Sequence, residues 1–130
     1  MLNRAFQIAA GLTLLAAPGA FAQAGGMAMQ APTGKQATVT GTVVDVSCKF
    51  GQGLTGADHR MCAQVCADRG IPLAILGTDG KLYIPVSAAM PGDNQSTRLK
   101  DFAEQRVTVK GKVFEAGGGL AIQISEVARS

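Results

Sequence analysis

The sequence predicts a mainly β domain: a small five-stranded barrel with one or two short helices, and with a helical insertion after the first strand. Three observations predict it. Short runs of alternating apolar residues recur along the chain, Gly, Asp and Pro turn signals separate them at close intervals, and one window between the first two runs carries helical spacing instead.

The first residues read as a targeting segment. Met1 to Arg4 bears one positive charge, and Ala5 to Ala17 is uncharged and mostly apolar. Pro18 and Gly19 break that run before Ala20-Phe21-Ala22, a small-x-small cleavage site, with Ala22-Gln23-Ala24 as a second. The run is shorter than the about 20 residues a membrane span takes. We therefore expect a signal peptide over residues 1–22, a periplasmic or secreted product and no membrane span after cleavage. Residues 23–35, rich in Gly, Ala and Pro, read as a flexible leader, and residues 36–128 as the domain.

Within the domain, Ala37 to Val46 alternates as a strand, with Gly41 marking a bulge or sharp bend. Gly51, Gly53 and Gly56 form a loop. Thr55 with Asp58 three residues on predicts a capped helix from Gly56 to Arg69, which Gly70 and Pro72 end. Leu73 to Leu76 and Lys81 to Val86 flank Thr78-Asp79-Gly80 and predict a hairpin. Ala88 to Thr97 reads as a loop and Arg98 to Glu104 as a short helix. Arg106 to Phe114 and Leu120 to Val127 alternate as the last two strands, joined through Gly117-Gly118-Gly119.

Composition limits the function classes. Twelve Lys and Arg face nine Asp and Glu, a net charge of +3, and cleavage after Ala22 removes Arg4 and no acid, bringing the product nearer neutrality. The basic residues are scattered, which argues against an affinity built on many phosphate contacts. With one tyrosine and no tryptophan there is no stacking platform for single-stranded nucleic acid either.

The side chains with soft chemistry fall in one window: Cys48 at the end of the first strand, then His59, Cys62 and Cys66 on the predicted helix. At 100° per residue the last three lie within about 60° of one another. If the connecting loop folds back, Cys48 joins them. Three thiolates and an imidazole make a tetrahedral set for zinc, and the same donors suit reduced copper. Asp45 and Asp58 are placed to orient His59, although Asp58 also serves the expected helix cap and Asp45 also suits a water-facing strand position. Met61 offers further soft sulfur, as do Met27 and Met29, which read first as filler in the leader. The cysteines also have plainer uses. Met61, Cys62, Val65 and Cys66 form an apolar stripe able to dock a helix on a barrel. A disulfide from Cys48 to Cys62 or Cys66 would close a loop of about 15 residues, worth about 3 kcal/mol in chain entropy. Three is an odd number, so one thiol would remain for thiol–disulfide exchange.

Two resemblances add to this. The segments TVTGTVVDV and LKDFAEQRVTVKGKVFEAGGGLAIQISEVA resemble the first and the last two strands of small secreted bacterial OB-fold-like domains, across Ala37 to Val127. The insertion DVSCKF followed by HRMCAQVC resembles a pattern of uncharacterised exported bacterial proteins. The first implies an architecture and the second implies no reaction. Locally, Cys-x3-Cys with a nearby His also resembles the site of Sco-type copper-delivery proteins, which carry it on a different fold.

No Gly-x-Ser-x-Gly, phosphate-cradling glycine loop, Cys-x-x-Cys or informative carboxylate pair occurs. The expectation is a non-enzymatic copper- or zinc-binding protein using Cys48, His59, Cys62 and Cys66. A disulfide-stapled domain that binds an envelope protein or a carbohydrate is the alternative, and a thiol-disulfide redox partner the third.

Overall fold

The computed structural model describes residues 32–130. The expected signal peptide and the leader up to residue 31 lie outside the described residues. The leader's last expected residue, Lys35, already belongs to a strand.

Five strands close into a barrel in the order β1-β2-β3-β5-β4. They are β1 (Lys35–Asp45), β2 (Leu73–Gly77), β3 (Leu82–Pro85), β4 (Arg106–Ala116) and β5 (Gly119–Arg129). All pairings are antiparallel except β3 with β5, which closes the wall in parallel. The expected fold class is thus observed, including the helical insertion between β1 and β2. Alternation in β1 turns Val39 and Val43 inward to meet Leu73, Ile75, Val107, Val109 and Ile122 in the core. The hairpin between β2 and β3 forms as expected, tied by the Tyr83 hydroxyl donating to Asp79 Oδ2 at 2.6 Å.

β1 serves two neighbours, pairing with β4 over Lys35 to Thr42 and with β2 over Gly41 to Asp45. Gly41 sits where the pairings overlap, and a Cβ there would collide with the Leu76 carbonyl oxygen and the Ile75 side chain. The glycine is needed for this close approach of backbones. The register shift of the barrel lies elsewhere, between Lys110 and Gly111. Gly41→Ala is expected to cost about 1–3 kcal/mol through overpacking, read as a lower urea midpoint with an unchanged slope.

Between β1 and β2 the chain forms α1 (Val46–Gln52), a 3-10 turn (Ala57–His59) and α2 (Arg60–Asp68). Here the structure corrects three expectations. First, α1 occupies a stretch expected to finish a strand and enter a loop. Asp45 caps it, Oδ1 accepting the Cys48 amide at 2.9 Å, and Gly53 ends it in a left-handed conformation. Second, the helix expected over Gly56 to Arg69 is shorter, and Thr55 does not cap it. The Thr55 hydroxyl donates to Glu104 Oε2 at 3.0 Å, and Gly56 precedes the 3-10 turn without a side-chain cap. Third, the docking stripe of α2 is Ala63 and Ala67, both buried, while Met61 is 77% exposed and Cys62 and Val65 face outward. Alanines admit the helix closer to its neighbours than the expected stripe would, and the helix is rotated accordingly.

The short helix expected near Arg98 is α3 (Ser96–Leu99) running into a 3-10 turn (Lys100–Phe102). Leu99 is fully buried in the core. Glu104 follows outside any helix, at a φ of 57°. No helix among the described residues is long and apolar enough to cross a membrane.

Candidate metal centre

Each side chain of the site is placed by a local feature of the chain. Asp45 ends β1 and caps α1, which sets its carboxylate beside Cys48, the third residue of that helix. Asp45 is 0% exposed and Cys48 is buried. His59 ends the 3-10 turn, 7% exposed. Cys62 and Cys66, one helical turn apart on α2, share a side of it. Cys66 lies nearer the Ala63 and Ala67 face and is half-buried, whereas Cys62 is exposed.

The structure brings the four expected ligands into two groups that share Cys48. In one, ligand atoms of Asp45, Cys48 and His59 all lie within 4.8 Å of one another. In the other, the sulfurs of Cys48, Cys62 and Cys66 do so. All three cysteines are free thiols, so neither expected pairing of Cys48, with Cys62 or with Cys66, is bonded.

His59 is held by a residue that the sequence did not suggest. Its Nδ1 lies 3.0 Å from Glu104 Oε1. The other oxygen of Glu104 accepts from the Gly56 amide at 2.8 Å and from the Thr55 hydroxyl. An ionised carboxylate only accepts, so Nδ1 donates to it, and in a neutral ring Nε2 then presents a lone pair. That nitrogen is buried without a hydrogen-bond partner, and so is Asp45 Oδ2. A buried unsatisfied polar group costs about 1–3 kcal/mol. Two such atoms, on the two residues grouped with Cys48, fit the donor set of a metal site.

Asp58, expected to orient His59, takes no part. It is exposed and belongs to neither group. Adjacent residues in a 3-10 turn point about 120° apart, so Asp58 faces solvent when His59 faces inward. Asp45, expected in the same supporting role, sits instead among the candidate ligands. Met61 beside the cluster points outward, and Met27 and Met29 lie outside the described residues.

The electrostatics fit thiols held protonated until a cation arrives. Burial, followed by the Asp45 charge, raises the Cys48 thiol. Cys66 is pushed up to about 12, first by a hydrogen-bonding contact with the Asp45 carboxylate, then by burial and negative neighbours. That contact falls short of a fully formed hydrogen bond, since Asp45 Oδ2 has no partner of good geometry. A bound cation would reverse these effects, releasing protons from the thiols.

An apolar cavity of about 480 Å³ lies elsewhere, lined by Pro32, Ile84, Phe114 and Leu120 among others, and shares no residue with the cluster. It is the site's chemistry and not the cavity that points to a ligand.

Fold and site together define a class: a closed five-stranded β barrel whose helical insertion bears a Cys, His and Asp cluster able to hold a metal ion. No protein-family model, curated protein or solved structure matches the chain.

Proposed function

We propose that this chain is an exported, non-enzymatic metal-binding protein, OB-fold-like in architecture, that holds zinc or copper(I) on Cys48, His59, Cys62 and Cys66 with Asp45 as a further ligand. One observation carries the reading. His59 Nε2 and Asp45 Oδ2 are both buried and unpartnered, and their residues group with Cys48 within 4.8 Å by one ligand atom each, while Glu104 takes the Nδ1 side of the imidazole. A ligating histidine normally donates its other nitrogen's proton to such a carboxylate. Thiolate and imidazole suit both metals, and the Asp45 oxygen favours zinc.

The signal-like residues 1–22 support a periplasmic or secreted location, where the partners would be the metal ion and an envelope protein that delivers or receives it. Scattered basic residues and the lack of tryptophan argue against nucleic acid. A second reading, thiol–disulfide exchange, is favoured by exposed Cys62 lying within 4.8 Å of both other sulfurs.

Protein isolated without chelator, analysed for copper and zinc and titrated for free thiols, tests the reading. At least one metal ion per chain is expected, with three thiols that react only after chelation and unfolding. Metal-free protein whose thiols readily form a mixed disulfide would move the function to the second reading.

A further inference from the structure

Cys48 belongs to both ligand groups at once, and the two differ in burial and in donor type. The inner group of Asp45, Cys48 and His59 is buried throughout and mixes oxygen, sulfur and nitrogen. The outer group is all sulfur and runs from buried Cys48 through half-buried Cys66 to exposed Cys62. Five residues therefore supply donor atoms. A zinc ion takes four ligands in a closed structural site, so a single ion leaves at least one donor unused beside it. Two ions that share the Cys48 sulfur use all five, each with three protein ligands and an open position.

Charge points the same way. Asp45, Glu104 and three cysteines converge here, and among the described residues no Lys or Arg side chain pairs with either carboxylate. The Asp45 residue and the Glu104 side chain are nevertheless fully buried. Buried charges need compensation by paired charges or by metal. One divalent ion leaves much of the potential negative charge uncompensated, and two come close to balancing it.

Resting on the metal-binding reading, we propose that the site holds a pair of metal ions bridged by the Cys48 thiolate. The inner ion is held by Asp45 Oδ2, Cys48 Sγ and His59 Nε2, and the outer ion by the sulfurs of Cys48, Cys62 and Cys66. The outer position, soft and reached through exposed Cys62, is where ions enter and leave. The inner position, enclosed and braced by Glu104, retains its ion longer.

Native mass spectrometry of the reduced chain, titrated anaerobically with zinc(II) and separately with copper(I), tests this. Two zinc ions per chain are expected in the wild type. His59→Ala should keep only the outer ion, the double variant Cys62→Ser, Cys66→Ser only the inner one, and Cys48→Ser should weaken both. Cadmium NMR of the wild type should give two resonances, that of the all-sulfur position further downfield. Saturation of the wild type at one zinc ion, with each variant weakening that same ion, would overturn the pair and leave the metal-binding reading standing. Binding of neither metal would overturn both. The deciding number comes from the wild type, so a variant that folds poorly does not obscure it.

Discussion

Removing the metal is expected to lower the melting temperature by roughly 15–30 °C, the largest effect the structure implies. An ion that binds only the folded state adds about 4 kcal/mol when free metal exceeds the dissociation constant about a thousandfold. A domain of roughly 100 residues moves about 4–8 °C for each kcal/mol. The physical source of the gain is visible in the cluster. Without an ion, His59 Nε2 and Asp45 Oδ2 are buried and unpaired, and the Asp45 charge lies beside thiols that it discourages from ionising. Metal binding removes those penalties together and ties the insertion between β1 and β2 to the barrel. Differential scanning calorimetry with zinc and then with excess chelator measures the shift. It should shrink as the pH is lowered, because protons return to the thiols and displace the ion. His59→Ala, which leaves only the all-sulfur group of Cys48, Cys62 and Cys66 intact, should show a smaller shift between the two conditions than the wild type. Equal melting of the wild type in the two conditions would mean that no ion is held by the native fold.

The barrel was legible in the sequence because its signals are local. Alternation in Ala37 to Val46 and in the last two strands, and the Asp79-Gly80 turn, each act within a few residues. The gathering of Cys48 with Cys62 and Cys66 was also foreseeable, since their types and spacing already marked them. The helix α1 was harder to see. Val43, Val44 and Val46 read as a continuing strand, although Asp45 and Gly53 stood at the two ends as cap and stop. The alanine face of α2 was hidden by a more apolar stripe, because hydropathy ranks Met61 and Val65 above the small residues that permit close packing. Glu104 left no local trace. It lies 45 residues from His59, and the contact exists only because Val43 and Glu104 are joined where β1 passes the segment before β4, the Glu104 amide donating to the Val43 carbonyl at 2.8 Å. Long-range pairing of that kind is set by the closed barrel, not by spacing.

That placement makes Glu104 the residue whose conservative replacement should tell most. In the wild type, Oε2 accepts from Gly56 and Thr55 while Oε1 accepts from His59 Nδ1. In Glu104→Gln the amide oxygen can keep the first two bonds, which places the NH2 group against Nδ1. Since that group only donates, Nδ1 must give up its proton and become the acceptor. The proton moves to Nε2, the atom that would ligate the metal. Zinc affinity is therefore expected to fall about 10–100-fold, the usual effect of losing a ligand's supporting carboxylate, while the metal-free protein melts close to the wild type. Glu104→Ala should weaken zinc binding too, and also lower stability without metal, because it strips the Gly56 amide and the Thr55 hydroxyl of their acceptor. The chain has one histidine, so nitrogen NMR of the imidazole reports the tautomer without ambiguity. Wild-type and Glu104→Gln proteins are expected to show opposite tautomers in the absence of metal. Equal zinc affinity despite a switched tautomer would remove His59 Nε2 from the ligand set, and an unswitched tautomer would mean that Glu104 does not set the proton on the ring.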